Sequence, residues 1–598
     1  MASMSTASNL PFPACSFFTN NQTRRFPPPP PPQLATIKTN HLLRRRLSCK
    51  ANHLDRQEYN DDHFGDHYSH EMMMKLDRRN MLIALGGGLY GAAATGTPHA
   101  KGLPIQAPDI SQCELADGGG KPINCCPPYK SGTKIIDFKL PSHNSPLRVR
   151  PAAHLVNKEY LNKYRRAVKL MRELPASDPR NFMQQANVHC AYCDGAYDQV
   201  GFPDLELQVH NSWLFFPWHR YYLYFNERIL GKLIGDETFA LPYWNWDAPA
   251  GMRMPSIYTT PSTSLYDPLR DAKHQPPTLI DLDYNLIDQN LPEKEQIDQN
   301  LTIMYRQVAA NKTPELFLGA AYRRGDQPNP GAGSLENVPH GPVHLWTGDR
   351  TQPNFEDMGT FYSAGRDPIF FAHHGNIDRL WYIWQTKVAA KNNNGFKDKD
   401  WLDAAFLFYD ENAQLVRVRV RDCLDNKLLR YTYQEVDIPW LTKRPTPKAT
   451  QAAARSAFTE ATFPLTLTAA ASTTVRRPRV SRSEAEKAAE TEVLVVDGIQ
   501  FPGDKAIKFD VYINAPEFAE IGPSASEFAG SFVNVPHLHV ARETAVMTTR
   551  LKLSITEALD ELGLDGDENI IITVVPRAGS ENLKIGGLSI DFSSSSSA

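Results

Sequence analysis

Two groups of three histidines constrain this 598-residue chain more than any other feature: His189, His210 and His219, then His340, His344 and His374 further along. Two trios suggest two metal ions, so any fold must carry distant segments around a shared centre. Imidazole suits copper, zinc, iron and nickel. Neither stretch offers a bridging carboxylate, which leans away from a dinuclear hydrolase and makes copper the first metal to consider.

The sequence around each trio reads as buried helix. From Trp213 to Leu233 apolar and aromatic residues recur at helical spacing, and Pro217 is tolerable only in a first turn, so His219 should open a buried helix. His340 and His344 are an i, i+4 pair on one helical face. Pro342 between them predicts that the helix begins there. The run from Asp367 to Trp381 reads as another helix, and it delivers His374. Its neighbour His373 points about 100° away, so both cannot easily serve one ion. Of the 18 histidines, those at 41, 53, 63, 67, 70 and 99 precede the globular region, and His143, His154 and His274 stand apart from the aromatic helices. These take an ordinary structural reading.

Length predicts more than one domain. A net charge of −3 gives no footprint for nucleic acid, and a small molecule is the better substrate class. No apolar run is long enough to cross a bilayer, so the mature chain is expected to be soluble or peripheral to a membrane. Met1 to Leu54 contains no Asp or Glu and is rich in Ser, Thr, Arg and Pro, the composition of a transit peptide. Arg78-Arg79 followed by Met81 to Leu85 and a Gly/Ala tail is a twin-arginine export pattern. Two such signals in series predict a chloroplast transit peptide over 1–77, a thylakoid signal over 78–102 and a destination in the thylakoid lumen. Six cysteines follow: Cys113, Cys125, Cys126, Cys190, Cys193 and Cys423. An exported protein can pair some of them, but spacing leaves the connectivity open.

The two stretches resemble the copper A and copper B motifs of plant polyphenol oxidases, type 3 copper proteins related to tyrosinases and haemocyanins. The likeness rests on His189 through Cys193 to His210 and His219, on the His340/His344 pair, and on Phe370 to Trp381. It extends to Asp400-Trp401-Leu402, Tyr431-Thr432-Tyr433 and Lys508-Phe509-Asp510-Val511. It implies a mainly α catalytic domain over 103–440, a four-helix bundle holding a dinuclear copper centre. His189, His210 and His219 would bind copper A, and His340, His344 and His374 copper B. Cys193 would form a thioether to His210, and Cys113 would pair with Cys126 and Cys125 with Cys190, leaving Cys423 free. Phe361 matches a gate residue over copper A. The implied activity is oxidation of ortho-diphenols to ortho-quinones with reduction of O2 to water, kept latent until a protease acts.

Glu336, four residues before His340, would share its helical face and matches a carboxylate linked to phenol deprotonation. The family often has Asn directly after the first copper B histidine, where this chain has Gly341. That departure predicts strong catechol oxidation and weak or absent monophenol hydroxylation, with Leu345 narrowing the entrance. The rival readings are a specialised biosynthetic phenol oxidase, a tyrosinase-like hydroxylase, or, less favoured, a haemocyanin-like oxygen carrier; oligomeric state stays open.

Residues 441–490, rich in Ala, Thr, Ser, Lys and Arg, predict an exposed, protease-sensitive linker. Short β-type runs follow (Val493 to Val496, Ile507 to Ile513, Phe532 to Val540, Met547 to Leu553, Ile570 to Val575) and predict a small C-terminal β-sandwich over 491–598, which the family resemblance implies shields the site. His537 and His539 would lie on one strand face as structural histidines. The family resemblance implies an apolar residue plugging the entrance, which the sequence does not single out.

Overall fold

The computed structural model describes residues 102–389, 396–448, 458–515, 518, 521–537 and 546–594. The two leader segments expected over 1–77 and 78–102 therefore lie outside the described residues, apart from Gly102. None of the helices described is long and apolar enough to cross a membrane.

Five of the helices described in the catalytic region position the site: α1 (Lys158–Glu173), α2 (Phe182–Cys193), α3 (Phe215–Ile234), α4 (Gly341–Thr347) and α5 (Ile369–Ile383). Asn157 and Asn181 cap α1 and α2, their side chains accepting backbone N–H groups in the first turn. The helix α1 is amphipathic and buries Tyr164, Ala167, Val168 and Met171, at i, i+3, i+4 and i+7, against the bundle. By contrast α3 is buried almost all round, from Phe215 to Asn226, which marks it as the central helix. Its end is set by Gly235, which adopts φ 68° and closes the last turn. Helices α2, α3, α4 and α5 form the four-helix frame that carries four of the six histidines; His210 sits in the loop before α3 and His340 ends the turn Glu336–His340 that leads into α4.

A buried ion network ties this frame together. Asp378 on α5 accepts from Arg220 on α3 at 2.5 Å, from Arg150 at 3.0 Å, and from the hydroxyls of Tyr431 (2.6 Å) and Tyr433. Glu227 on α3 binds both Arg148 and Arg150. Burial alone would push the Asp378 carboxyl up, but Arg220 and Arg150 with the tyrosines hold it below its ordinary value. The Tyr431-Thr432-Tyr433 segment thus serves as a buried donor pair, and Arg150 and Arg220 also lie over the Tyr431 and Trp381 rings, at 3.9 and 3.7 Å. Two disulfides, Cys113–Cys126 and Cys125–Cys190, fasten the segment before the bundle to α2.

The C-terminal domain is a two-sheet sandwich. Its strands are β1 (Leu465–Thr466), β2 (Ala471–Arg476), β3 (Glu490–Pro502), β4 (Ile507–Ile513), β5 (Phe528–Asn534), β6 (Val546–Ser554), β7 (Asn569–Ala578), β8 (Lys584–Ile585) and β9 (Gly587–Ser594). One sheet runs β1-β8-β3-β6 with β9 also on β3; the other runs β2-β7-β4-β5. Their inner faces enclose a separate apolar core that includes Leu494, Val496, Phe509, Val511, Ile572 and Val574.

Three expectations need correction. The linker expected over 441–490 is folded from residue 465: β1 and β2 belong to the sandwich, because buried Leu467 and Val475 anchor a segment whose composition looks solvent-facing. Residues 449–457 of that span lie outside the described residues. The strand expected from Phe532 to Val540 ends at Asn534, so His537 follows the strand rather than lying on it, and His539 lies outside the described residues. Between Glu336 and His340 the backbone is not a regular helical extension: Val338 is extended and precedes a cis Val338–Pro339 bond, and α4 starts afresh at Gly341.

Candidate metal centre

The fold brings the six histidines, with His373 as a seventh, together in two buried groups, His189/His210/His219 and His340/His344/His373/His374, within each of which the ligand atoms lie within 4.8 Å of one another. The groups adjoin. The rings of His219 and His374 stack at 4.3 Å, and Phe215 stands 4.6 Å from His219 and 4.7 Å from His340. Phe370 fills the other side, 4.9 Å from His189 and 4.2 Å from His374. Both phenylalanines were visible in the sequence as helix-face residues, but nothing there marked them as spacers between two metal sites.

Backbone carbonyls aim the imidazoles. The Nδ1–H groups of His189, His219, His340 and His344 donate to the carbonyls of Phe361, Phe215, Glu336 and Met358 at 2.7–2.9 Å. Each Nδ1–H so used leaves the Nε2 lone pair as that ring's only free donor atom. The Nε2 atoms of His189, His210, His219 and His340 are buried with no hydrogen-bond partner, and those of His344 and His374 face each other at 3.2 Å. Buried polar atoms left unpaired are costly. Six converging neutral nitrogens in a dry aromatic shell fit two copper ions, for which imidazole is a suitable ligand in both oxidation states.

Burial keeps these rings neutral. His189 is held down to about 3 and His344 to about 4 from an ordinary 6.5, and burial with neighbouring imidazoles holds His210, His219, His340 and His374 well below that value. Between pH 6.5 and about 4 the unfolded chain binds protons that the folded chain does not. Stability of the metal-free protein is therefore full above that window and lost as the pH falls through it. Urea midpoints taken at about pH 7 and about pH 4.5 on metal-free protein should show a clear drop. Equal midpoints would contradict it.

The shielding domain reaches into this centre. Val533 and Val535 leave the sandwich core and join the catalytic core; a Cβ placed on Gly341 would lie 3.1 Å from Val533 Cγ1 and 3.6 Å from Val535 Cγ2. Asn337 grips the same strand, donating to the Ser531 carbonyl at 2.5 Å and accepting from Val533 N–H at 3.0 Å. On the other rim the His537 ring stacks on Phe361 at 4.7 Å, and Phe361 stacks on His210 at 4.1 Å. The apolar residues by which the C-terminal domain meets the catalytic core at Gly341 are this Val533/Val535 pair, with His537 beside it. Neither carries a local signature, since both act only through contacts made across the domain interface.

The Lys508-Phe509-Asp510-Val511 segment explains the docking by strand alternation. Phe509 and Val511 face the sandwich core, while Lys508 and Asp510 face the catalytic domain. The Lys508 ammonium, fully buried, donates to Asp510 (2.8 Å) and Asn285 (2.7 Å) and lies 3.2 Å from Asp283. His274, read as isolated, is buried behind α4, its ring stacked on Trp346 at 4.3 Å and bonded to Asp288.

Three family models match this chain in succession: the common central domain of tyrosinase over residues 179–387, the polyphenol oxidase middle domain over 395–446, and the chloroplastic polyphenol oxidase C-terminal domain over 463–592. A chloroplastic polyphenol oxidase of Malus domestica is 54% identical over 572 residues, 92% of this chain and 93% of the relative. The chain belongs to the plant polyphenol oxidases. Among other relatives of this polyphenol oxidase is a (+)-larreatricin hydroxylase of Larrea tridentata, 50% identical over 92% of this chain and 94% of the relative. The structure of latent apple tyrosinase superposes with a TM-score of 0.74 at 57% identity, covering 77% of this chain and all of that one. The type 3 dicopper centre and the latent arrangement of the polyphenol oxidase follow from this membership together with the two histidine groups.

Proposed function

We propose that this polyphenol oxidase is a chloroplast catechol oxidase of the thylakoid lumen, oxidising ortho-diphenols with O2 and hydroxylating monophenols weakly. The single observation supporting it is Gly341: the position after His340 offers no side-chain amide, and the space beside it is taken by Val533. The chloroplastic names of relatives and the transit-like leader support the location.

In this reading His189, His210 and His219 hold copper A and His340, His344 and His374 copper B. The bound copper pair supplies two one-electron changes, matching the two electrons that a catechol yields on becoming a quinone. The protein's part is positioning and exclusion of water. The Phe361 ring, stacked on His210, presents a flat wall along which a phenol ring can lie. A thioether from buried Cys193 to His210 would fix that histidine, which lacks a partner at either nitrogen. Leu345, buried beside His344, narrows the approach.

Glu336 is suited to take up a proton from a phenol. Its carboxyl is fully buried, which pushes it well above its ordinary value, while backbone N–H groups including that of Asn211 at 2.5 Å pull the other way. One carboxyl oxygen accepts from Asn211 and the other has no partner. A base with a raised value works nearer neutral pH. This same carboxylate favours the second reading, a hydroxylase resembling the Larrea relative.

A panel of 4-methylcatechol and tyramine, assayed before and after limited proteolysis, separates the two. Fast catechol turnover after cleavage with little tyramine hydroxylation is expected, and Gly341→Asn should raise the tyramine-to-catechol ratio by roughly tenfold, equivalent to one added hydrogen bond of about 1.4 kcal/mol. Tyramine turnover near the catechol rate in the unaltered enzyme would sink the catechol-oxidase reading. Oxygen binding with no catechol oxidation would favour the carrier instead.

A further inference from the structure

The second histidine group holds four imidazoles where copper B needs three. His373 and His374 are adjacent on α5, both fully buried, and a ligand atom of each lies within 4.8 Å of those of His340 and His344. Position on the helix separates the two rings by about 100°, yet His373 packs 4.9 Å from His344 and 5.4 Å from His340, as close as His374 does. Proximity alone does not choose between them.

Trp246 makes the choice. Its indole Nε1–H donates to His373 Nδ1 at 3.1 Å. An indole nitrogen can only donate, so His373 Nδ1 must be the acceptor. A neutral imidazole has one lone pair and one proton; with the lone pair on Nδ1 committed to Trp246, the proton sits on Nε2 and the ring has nothing to offer a metal from either side. In His374, by contrast, Nδ1 has no partner and Nε2 faces His344 Nε2.

The tryptophan is itself held firmly against α5. Trp244 N–H donates to the Ala372 carbonyl at 2.8 Å, and Trp246 N–H to the Trp244 carbonyl at 2.9 Å. Gly375 permits this approach, since a Cβ there would lie 3.2 Å from the Pro242 carbonyl and 3.3 Å from Tyr243 Cβ. Next in the chain, Asp247 accepts from Asn376, Arg379 and Trp440 at 2.8–3.0 Å. Three hydrogen-bond partners on α5, Ala372, Asn376 and Arg379, and a fourth, Trp440, hold the segment that carries the indole in place beside His373.

We infer that Trp246 is a positioning residue for copper B, one that occupies the lone pair of His373 and so keeps it from competing with His374 for the ion. The inference rests on the ligand set proposed above. Groups that orient metal ligands without touching the metal change metal affinity by roughly 10- to 100-fold when removed.

The test is copper retention per chain in full-length protein dialysed against graded bicinchoninate, with thermal unfolding recorded alongside. Trp246→Phe keeps an aromatic ring and deletes the N–H; it should lose copper at roughly tenfold lower chelator. Adding His373→Phe to it removes the competitor and should restore retention to near the parent level, which a merely structural tryptophan would not show. His373→Phe alone should hold copper as the parent does, and His374→Phe should not. The inference is overturned if Trp246→Phe retains copper like the parent, if the double variant is no better than the single, or if His373→Phe alone loses copper. Undiminished copper in His374→Phe would instead overturn the ligand set itself. Should Trp246→Phe fail to fold, the two single histidine variants still decide whether His373 is a silent neighbour.

Discussion

Replacing Asp378 with Asn is expected to lower the stability of the catalytic domain by about 3–5 kcal/mol, the cost of leaving buried charges without their partner. The carboxylate stands between Arg150 and Arg220, all three buried, and accepts from two tyrosine hydroxyls as well. Asn keeps the shape but removes the charge, so Arg220 would lose its carboxylate partner while Arg148 and Arg150 shared a single one, Glu227. The effect should reach the metal centre. Arg220 follows His219 on α3, and Asp378 lies one turn beyond His374 on α5, so the ion pair clamps the two helices at the positions where their histidine rings stack. Denaturant midpoints and copper content, measured together on the same samples, check this. A variant with unchanged midpoint and full copper would show that the network is not what joins α3 to α5.

Replacing Val533 with Asp should abolish most of the latency of the uncleaved enzyme. Val533 is packed against Gly341 inside the catalytic core and is hydrogen-bonded through its N–H to Asn337. Its cross-strand partner Lys508 is already committed to Asp283, Asp510 and Asn285, so a new carboxylate at 533 gains no free countercharge. Burying an unpaired carboxylate costs several kcal/mol, and each 1.4 kcal/mol shifts the docked population about tenfold. The strand should therefore leave the entrance in a large share of molecules, and turnover of 4-methylcatechol by the intact chain should rise toward that of the protease-treated form. The ratio of rates before and after proteolysis, compared with the unaltered protein, is the readout. An unchanged ratio would mean that Val533 does not close the entrance, and unchanged melting of the catalytic domain would show that only the contact was altered.

Much of the centre was legible in the residues themselves. The His340/His344 pair, the buried run before and after His219 and the Phe370 to Trp381 helix all carry helical spacing, and each histidine they predicted is brought to the centre. Lys508-Phe509-Asp510-Val511 could be read as a strand by alternation, but not as the seam between two domains. Glu336 reaches the site by a different route from the one expected: its own carbonyl, not a shared helical face, meets His340, and its carboxyl turns to Asn211. The span expected to be a linker hid two strands, because two buried residues, Leu467 and Val475, suffice to anchor a Thr-rich edge.

By itself the sequence determined which residues could ligate metals, where the helices carrying His219, His344 and His374 and the main C-terminal strands run, and that a second, β-rich domain follows the first. Those are local properties, set by side-chain chemistry and by periods of 3.6 and 2 along the chain. Only the tertiary structure decided that Val533 and Val535 sit over Gly341, that His537 stacks on Phe361, and that Trp246 occupies the lone pair of His373. Each of these joins residues far apart in the chain through one contact or one hydrogen bond, and a single long-range contact leaves no repeating pattern in the residues on either side of it.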